Sequence, residues 1–182
     1  MGGYFIVNGI EKLVRLLIAP RRNHVTAIIR NSFQNRGHSY SPYGCSIRCA
    51  RPDQTTQTNT VHYLNDGNAM LRFSWRKQEY MVPVVLFLKA LVDTSDKEIF
   101  DALCQGDYKN TFLTDRIELL LRSFKIYSLY TRDACLSYLG EKFRIIMGLD
   151  EDMTDKQVGE AVLNKIILVH LNNNRDKFNL LM

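Results

Sequence analysis

The spacing of apolar residues changes at Pro83, and this change constrains the fold more than any other feature of the sequence. Before Pro83, short apolar runs alternate with Asn-, Asp- and Gly-containing turns, a pattern typical of β-hairpins. After Pro83, apolar residues recur every three or four positions, as on the buried face of a helix. The sequence therefore predicts an α+β domain, with a β-hairpin-rich N-terminal half packed with a helical C-terminal half.

Two turn signals organise the first half. Asn8-Gly9 is the dipeptide that best tolerates the positive φ angles of a type I′ turn, so it predicts a hairpin between strands at 4–7 and 10–18. The run 65–68 (Asn-Asp-Gly-Asn) predicts a second hairpin between strands at 61–64 and 69–75. Further strands are predicted at 25–29 and 45–50, with polar loops at 30–44 and 52–60.

Capping boxes mark two helix starts in the second half, one beginning at Ser95 and one at Thr154. Gly140 is a weak point inside a predicted helix, because glycine lowers helix propensity. Helices are predicted over 84–91, 96–103, 114–127, 131–147 and 154–171, with 172–174 ending the last of them. Residues 176–182 then resemble the start of a further helix.

Length and composition suit one domain. A chain of 182 residues can bury a core without disulfides or metal, and it contains no apolar run of the roughly 20 residues that span a bilayer. The N-terminus lacks the apolar segment of a signal peptide. We therefore expect reduced intracellular thiols, no membrane association, and a piece of a longer polypeptide in which residues 1–19 lead into one compact unit over 20–182. The four cysteines are Cys45, Cys49, Cys104 and Cys135.

No motif for independent catalysis is present in the sequence. Phosphate-binding glycine loops and nucleophile elbows are absent, and no nucleophile–base pair follows from residue spacing. Cys45 and Cys49 lack a second Cys/His pair, and strand alternation places both thiols on one face, which favours core packing over zinc. We expect no catalytic, cofactor or metal residue. The four histidines (His24, His38, His62, His170) are predicted to lie on the surface or as satisfied core residues, and the acidic run at 150–155 to be solvated charge before a helix.

Positive charge is concentrated in the first half. Residues 1–82 carry 11 Lys/Arg and 4 Asp/Glu, hence 11 − 4 = +7, whereas residues 83–182 carry 13 and 15, hence 13 − 15 = −2. This asymmetry indicates a surface that faces a polyanion, although scattered arginines that only solvate a β-rich surface explain it equally well. The candidate nucleic-acid-binding residues are Arg21, Arg22, Arg36, Arg48, Arg51, Arg76 and Lys77.

One stretch also carries a family resemblance. Residues 3–12, Gly-Tyr-Phe-Ile-Val-Asn-Gly-Ile-Glu-Lys, resemble the G-Y-F-I-[IV]-N-G-x-E-[KR] stretch of second-largest (β-like) subunits of archaeal and eukaryotic RNA polymerases. The segments 82–84, 89–91 and 95–99 are similar to the proline-led helix and the S-D-[KR]-[DE]-I segment of the same family. The segments 20–24, 51–55, 73–77 and 168–171 resemble RNA polymerase I, particularly its fungal members.

The resemblance implies that residues 20–182 form the lobe, a non-catalytic domain in one wall of the DNA cleft of a nucleotidyltransferase that makes ribosomal RNA precursor in the nucleolus of the nucleus. Catalytic Mg and structural Zn are then expected elsewhere in the complex. Implied partners are the largest subunit, an initiation-factor-like heterodimer, a small zinc-ribbon subunit and, weakly and nonspecifically, DNA.

Three alternatives remain open at this stage. The chain could be the lobe of another polymerase class, or a stand-alone basic nucleic-acid-binding module, or a catalytic domain of another family. A stand-alone module predicts tight binding with sequence preference and a steep salt dependence. A catalytic domain predicts turnover of a nucleotide substrate by the pure chain.

Overall fold

The chain adopts the predicted α+β architecture in a computed structural model that describes residues 2–149 and 152–182. In this part of the chain seven strands precede six helices, and two short 3-10 helices cover Asn31–Arg36 and Lys125–Tyr127. The strands are β1 (Tyr4–Val7), β2 (Ile10–Leu13), β3 (Val25–Ile29), β4 (Tyr40–Ala50), β5 (Thr56–Leu64), β6 (Ala69–Trp75) and β7 (Gln78–Pro83). The helices are α1 (Val84–Leu91), α2 (Asp96–Cys104), α3 (Thr111–Phe124), α4 (Arg132–Met147), α5 (Asp155–Lys165) and α6 (Asn174–Leu181).

Strands β1 and β2 form a two-stranded sheet of their own. Asn8 and Gly9 have φ angles of 52° and 74°, as the predicted type I′ turn requires. The second strand was predicted to reach residue 18 but ends at Leu13, because β1 offers only four residues to pair with. The division of the chain at residues 19 and 20 stays a prediction.

The other five strands form one antiparallel sheet in chain order, β3-β4-β5-β6-β7. The turn between β6 and β7 consists of Arg76 and Lys77, which have φ angles of 49° and 67° without any glycine. This unusual turn chemistry explains why the sequence did not predict β7. Strand β7 then continues into α1 at Pro83 with no intervening loop.

One face of this sheet carries the hydrophobic core. All eight residues of α1 are buried against it and against the other helices. The Phe73 ring lies at the centre of this layer, with its centroid 6.1 Å from that of Phe87 and 5.7 Å from that of Phe143. The sheet contributes Ile47, Cys49, Leu71, Phe73 and Val82 to the core. The opposite, outer face of the sheet is mixed, since it carries Arg72 and Glu79 and also His62 beneath the rings of Phe33 and Tyr40.

Helices α4 and α5 cross at two glycines. A Cβ atom on Gly140 would lie 1.9 Å from the carbonyl oxygen of Asp155, and one on Gly159 would lie 2.3 Å from that of Leu136. Both distances are far below van der Waals contact, so only glycine allows the two backbones to approach this closely. Gly140, predicted as a weak point of its helix, is one of the two glycines that permit the helix crossing.

The predicted helix over 154–171 ends early, at Lys165. The buried side chain of Asn59 explains this: its amide Nδ2 donates to the carbonyl of Ile166 (3.1 Å), and its Oδ1 accepts from the amide of Leu168 (2.9 Å). These bonds replace helical ones and tie β5 to the helical layer. The predicted loop at 52–60 is correspondingly wrong in its second half, since β5 begins at Thr56.

The close helix crossing predicts that a Gly→Ala change destabilises the chain, which is opposite to its usual effect in a helix. In an exposed helix, Gly→Ala stabilises by about 1 kcal/mol. Here Gly140→Ala should instead lower the free energy of unfolding by about 1–3 kcal/mol, because the new methyl group overpacks the crossing. Urea unfolding followed by circular dichroism measures the effect.

The exposed neighbour Glu141 provides the control, since Glu141→Ala should change the same free energy by less than about 0.5 kcal/mol. A Gly140→Ala variant as stable as the parent chain would show that α4 and α5 do not approach as closely as described.

Candidate nucleic-acid interface

The register of the sheet gathers most of the candidate basic residues at one end. Residue pairs such as Val25↔Ile47 and Thr60↔Arg72 place the start of β3, the β4–β5 turn and the β6–β7 turn at the same end. We call this end the basic sheet end. It holds six of the seven candidates, namely Arg21, Arg22, Arg48, Arg51, Arg76 and Lys77. Residues from three separate chain segments are thus brought together.

Asn23 fixes the segment that precedes β3. Its backbone amide donates to the carbonyl of Arg48 (2.9 Å), and its side-chain Oδ1 accepts from the amide of Ala50 (2.7 Å). These bonds hold Arg21 and Arg22 beside the end of β4. Arg22 also donates to the Gln54 side chain in the β4–β5 turn, at 2.7 Å.

Two of the candidates bond to the carbonyls at helix ends. One Arg51 Nη donates to the carbonyls of Asn164 (3.2 Å) and Lys165 (3.3 Å) at the end of α5. One Arg76 Nη donates to the carbonyl of Met147, the last residue of α4, at 3.3 Å. A cation at a helix C-terminus satisfies free carbonyls and the negative end of the helix dipole. Arg51 and Arg76 therefore anchor the sheet to the helices.

Five candidates are exposed and carry no ion pair within residues 2–149 and 152–182, and three of them, Arg21, Arg48 and Lys77, also make no side-chain hydrogen bond there. The nearby turn contributes one carboxylate, Asp53. It accepts from the hydroxyl (2.6 Å) and the amide (3.0 Å) of Thr55, and these bonds lower the pKa of Asp53. The surface formed by the three free cations is thus positive and accessible.

Arg36 lies apart from the basic sheet end. It belongs to the 3-10 helix over the outer face, where its guanidinium lies 2.8 Å from a Glu79 oxygen. The other Glu79 oxygen lies 2.7 Å from Arg72. The hydrogen bond from Arg36 lowers the pKa of Glu79, so the carboxylate stays charged and neutralises part of both guanidinium charges. The structure does not bring Arg36 together with the other six candidates.

His62 is buried beneath this outer-face cluster. The rings of Phe33 and Tyr40 cover it edge-on, at centroid distances of 4.4 and 5.8 Å. Neither ring nitrogen has a hydrogen-bond partner in the described part of the chain, so the prediction of a satisfied core histidine is wrong here. Burial, with the nearby charges of Arg72 and Arg36, lowers the pKa of His62 to about 4.

The cysteines divide by exposure. Cys49 is fully buried as predicted, whereas Cys45, expected to pack in the core, is exposed because it lies near the edge of the sheet. Burial raises the pKa of Cys49 and of Cys135 to about 11, which keeps both thiols protonated. Within the described ranges no group of three or more His, Cys, Asp or Glu side chains could hold a metal ion.

Two further predictions concern membrane association and the acidic run at 150–155. No helix in the described stretches is long and apolar enough to cross a membrane. Of the predicted acidic run, Asp150 and Glu151 lie outside the described residues. At its end, Asp155 receives hydrogen bonds from Arg144, the closer at 2.7 Å, so this carboxylate is paired instead of freely solvated.

Sequence comparison extends the family resemblance. The sequence pattern of the family described as RNA polymerase Rpb2, domain 2, matches residues 21–181. The chain is 62% identical, over its full length, to the probable DNA-directed RNA polymerase I subunit RPA2 of Schizosaccharomyces pombe. It is 59% identical to subunit RPA135 of RNA polymerase I from Saccharomyces cerevisiae and 40% identical to human RPA2, again over the full chain. The chain spans 16% of the length of each of these curated relatives.

The buried histidine predicts a pH dependence of stability. Since the pKa of His62 is about 4 in the folded state and near 6.5 when unfolded, the unfolded chain binds more protons between these values. The free energy of unfolding therefore has its full value above pH 6.5 and decreases as the pH falls towards 4. Replacing His62 by Phe removes this linkage, so the parent-minus-variant difference in unfolding free energy should change by on the order of 2 kcal/mol across the window.

Denaturant unfolding at a series of pH values measures this difference. The exposed His24 serves as the control, because a His24→Gln variant should keep the slope of the parent chain. Parallel pH profiles for the parent and the His62→Phe variant would contradict the buried, unpartnered state of His62.

Proposed function

Since the chain belongs to the family of RNA polymerase Rpb2, domain 2, we propose that it is the lobe domain of the second-largest subunit of a DNA-directed RNA polymerase I. In this role it forms part of one wall of the DNA cleft and contributes no catalytic residue to nucleotidyl transfer. The observation that carries the DNA-facing part is the basic sheet end, where Arg21, Arg48 and Lys77 are free of both ion pairs and side-chain hydrogen bonds within the described part of the chain.

The geometry of this end suits a backbone-binding surface. Phosphates attract exposed cations without regard to sequence, whereas sequence readout needs side chains that enter a groove. The three free cations lie on or next to a sheet that Arg51 and Arg76 anchor to the ends of α5 and α4. The backbone that carries them is thus held in place before any nucleic acid arrives. Three phosphate contacts supply weak, nonspecific affinity, which suits a wall along which DNA must move.

The remaining parts of the proposal follow from the family. The chain would contact the largest subunit, an initiation-factor-like heterodimer and a small zinc-ribbon subunit. It would act in the nucleolus during synthesis of ribosomal RNA precursor. Catalytic Mg and structural Zn would be held by other parts of the complex. The relatives reported above carry polymerase I names, which favours class I over a lobe of another class.

Binding of the 182-residue chain to a labelled DNA duplex tests the DNA-facing surface. Fluorescence anisotropy over a range of salt concentrations should give weak affinity, with a modest slope of log affinity against log salt. Each lost phosphate contact lowers that slope by roughly 0.9, so the double variant Arg48→Ala/Lys77→Ala should lower it by about 2. Affinity at low salt should fall for all duplex sequences alike.

Arg116 and Lys125 provide a matched control, because they carry the same charge and have no ion pair within the described part of the chain. Arg116 lies beside Gly67 in the β5–β6 turn, and Lys125 follows Ser123, which contacts Asn68 of the same turn, so both lie near the opposite end of the sheet. The double variant Arg116→Ala/Lys125→Ala should bind like the parent chain. Equal losses of DNA affinity in the two double variants would show that the basic sheet end is not the contact surface. Submicromolar, sequence-selective binding at physiological salt would instead favour a stand-alone nucleic-acid-binding module.

A further inference from the structure

Strand β3 is an edge strand of unusual composition. It lies at one end of the sheet order and consists of Val-Thr-Ala-Ile-Ile, without a charge, a proline or a bulge. Val25 and Ile29 are 42% and 73% exposed. Edge strands that face water are usually protected by charged side chains, prolines or irregular pairing, because a free apolar edge attracts a further strand. β3 has none of these protections within itself.

The hydrogen-bonding pattern shows which backbone groups are available. Arg30, just after β3, donates its amide to the carbonyl of Pro42 at 2.8 Å. In an antiparallel pair, alternate residues point their backbone groups towards the partner strand. The same alternation directs the backbone groups of Thr26 and Ile28 towards β4. The amides and carbonyls of Val25, Ala27 and Ile29 therefore point towards the open edge.

An apolar groove lies beside this edge on the core side of the sheet. It has a volume of about 270 Å³, and its lining includes Val25, Cys45, Ile47, Val61, Leu180 and Met182. Side chains of Val25, Ala27 and Ile29 lie on the same face, since they are paired with Ile47, Cys45 and Tyr43. An added strand would direct every second side chain towards this face. Backbone hydrogen bonds and alternate apolar side chains can thus be accommodated together.

The charge around the edge specifies the partner further. Residues 13–52, which contain β3, carry seven arginines and no acidic residue. Arg21 and Arg22 precede the strand, and Arg30 follows it directly. All three are exposed. A peptide bound along β3 would therefore meet positive charge at both of its ends.

We propose that β3 accepts, as a sixth strand, an extended segment of another polymerase subunit whose apolar residues alternate and whose ends are acidic. The inference rests on the proposed role in an assembled polymerase. A second copy of this chain fits poorly. Antiparallel pairing of two copies about Ala27 would place Arg30 of one copy opposite His24 of the other and close to the other copy's Arg22, so like charges would meet. Nucleic acid also fits poorly, since it would leave Val25 and Ile29 in water and the edge amides without a regular partner.

Site-specific photo-crosslinking in the intact complex tests this inference. A benzoylphenylalanine replaces Ala27 in the full-length subunit, which is then assembled into the polymerase and irradiated. Mass spectrometry should identify a crosslink to another subunit, within an extended segment that has alternating apolar residues and acidic ends. The same probe in place of Thr58, exposed on the outer face of the interior strand β5, should not crosslink to that segment.

Charge variants make the test specific. Arg30→Glu should lower the yield of the Ala27 crosslink by about fivefold, whereas Arg30→Lys should leave it nearly unchanged. Crosslinks to nucleic acid, to a second copy or to another part of the same subunit would overturn the inference, as would the absence of a crosslink. Suppose that the subunit assembles and that Arg48→Ala/Lys77→Ala lowers the salt slope of DNA binding as expected. Any of these contrary crosslinking results then contradicts strand addition at β3 and leaves the proposed DNA-facing role standing. Failure of the subunit to enter the polymerase contradicts both proposals.

Discussion

The burial of α1 against the five-stranded sheet is the constraint on which the rest of the structure depends. Strand β7 runs into α1 without a loop, and all eight residues of the helix are buried. This contact decides which face of the sheet is the core. The charged side chains of the sheet then lie on the outer face and at the sheet ends, where Arg48 and Lys77 are found. The burial of α1 thus keeps charged side chains off the core face of the sheet.

Local signals predicted much of this architecture, because they depend on neighbouring residues alone. The capping boxes at Ser95 and Thr154 form as expected, and α1 begins after Pro83 as the change of period indicated. The end of α5 could not be predicted from the helix itself. It depends on Asn59, whose side-chain amide donates to the carbonyl of Ile166 just after the helix. The two residues are 107 positions apart in the chain.

The candidate interface shows the same division. Sequence alone indicated which residues are basic, and the sheet register brought six of them together. The sequence could not indicate that Arg51 and Arg76 bond to helix carbonyls. Nor could it indicate that Glu79 pairs with Arg36, which is 43 positions away. Partner groups that are distant in sequence decide whether an arginine is an anchor or a free charge. Only a folded chain reveals such partners, and Arg21, Arg48 and Lys77 are the candidates at the basic sheet end that have none within the described residues.

The most direct test of the account is a crosslinking measurement on a transcribing polymerase that contains the full-length subunit. A photoreactive residue is placed at Lys77, at the basic sheet end, or at Lys125, near the opposite end. We expect crosslinks to the DNA from Lys77 and none above background from Lys125. DNA crosslinks from Lys125 but not from Lys77 would contradict the central claim that the basic sheet end faces the nucleic acid.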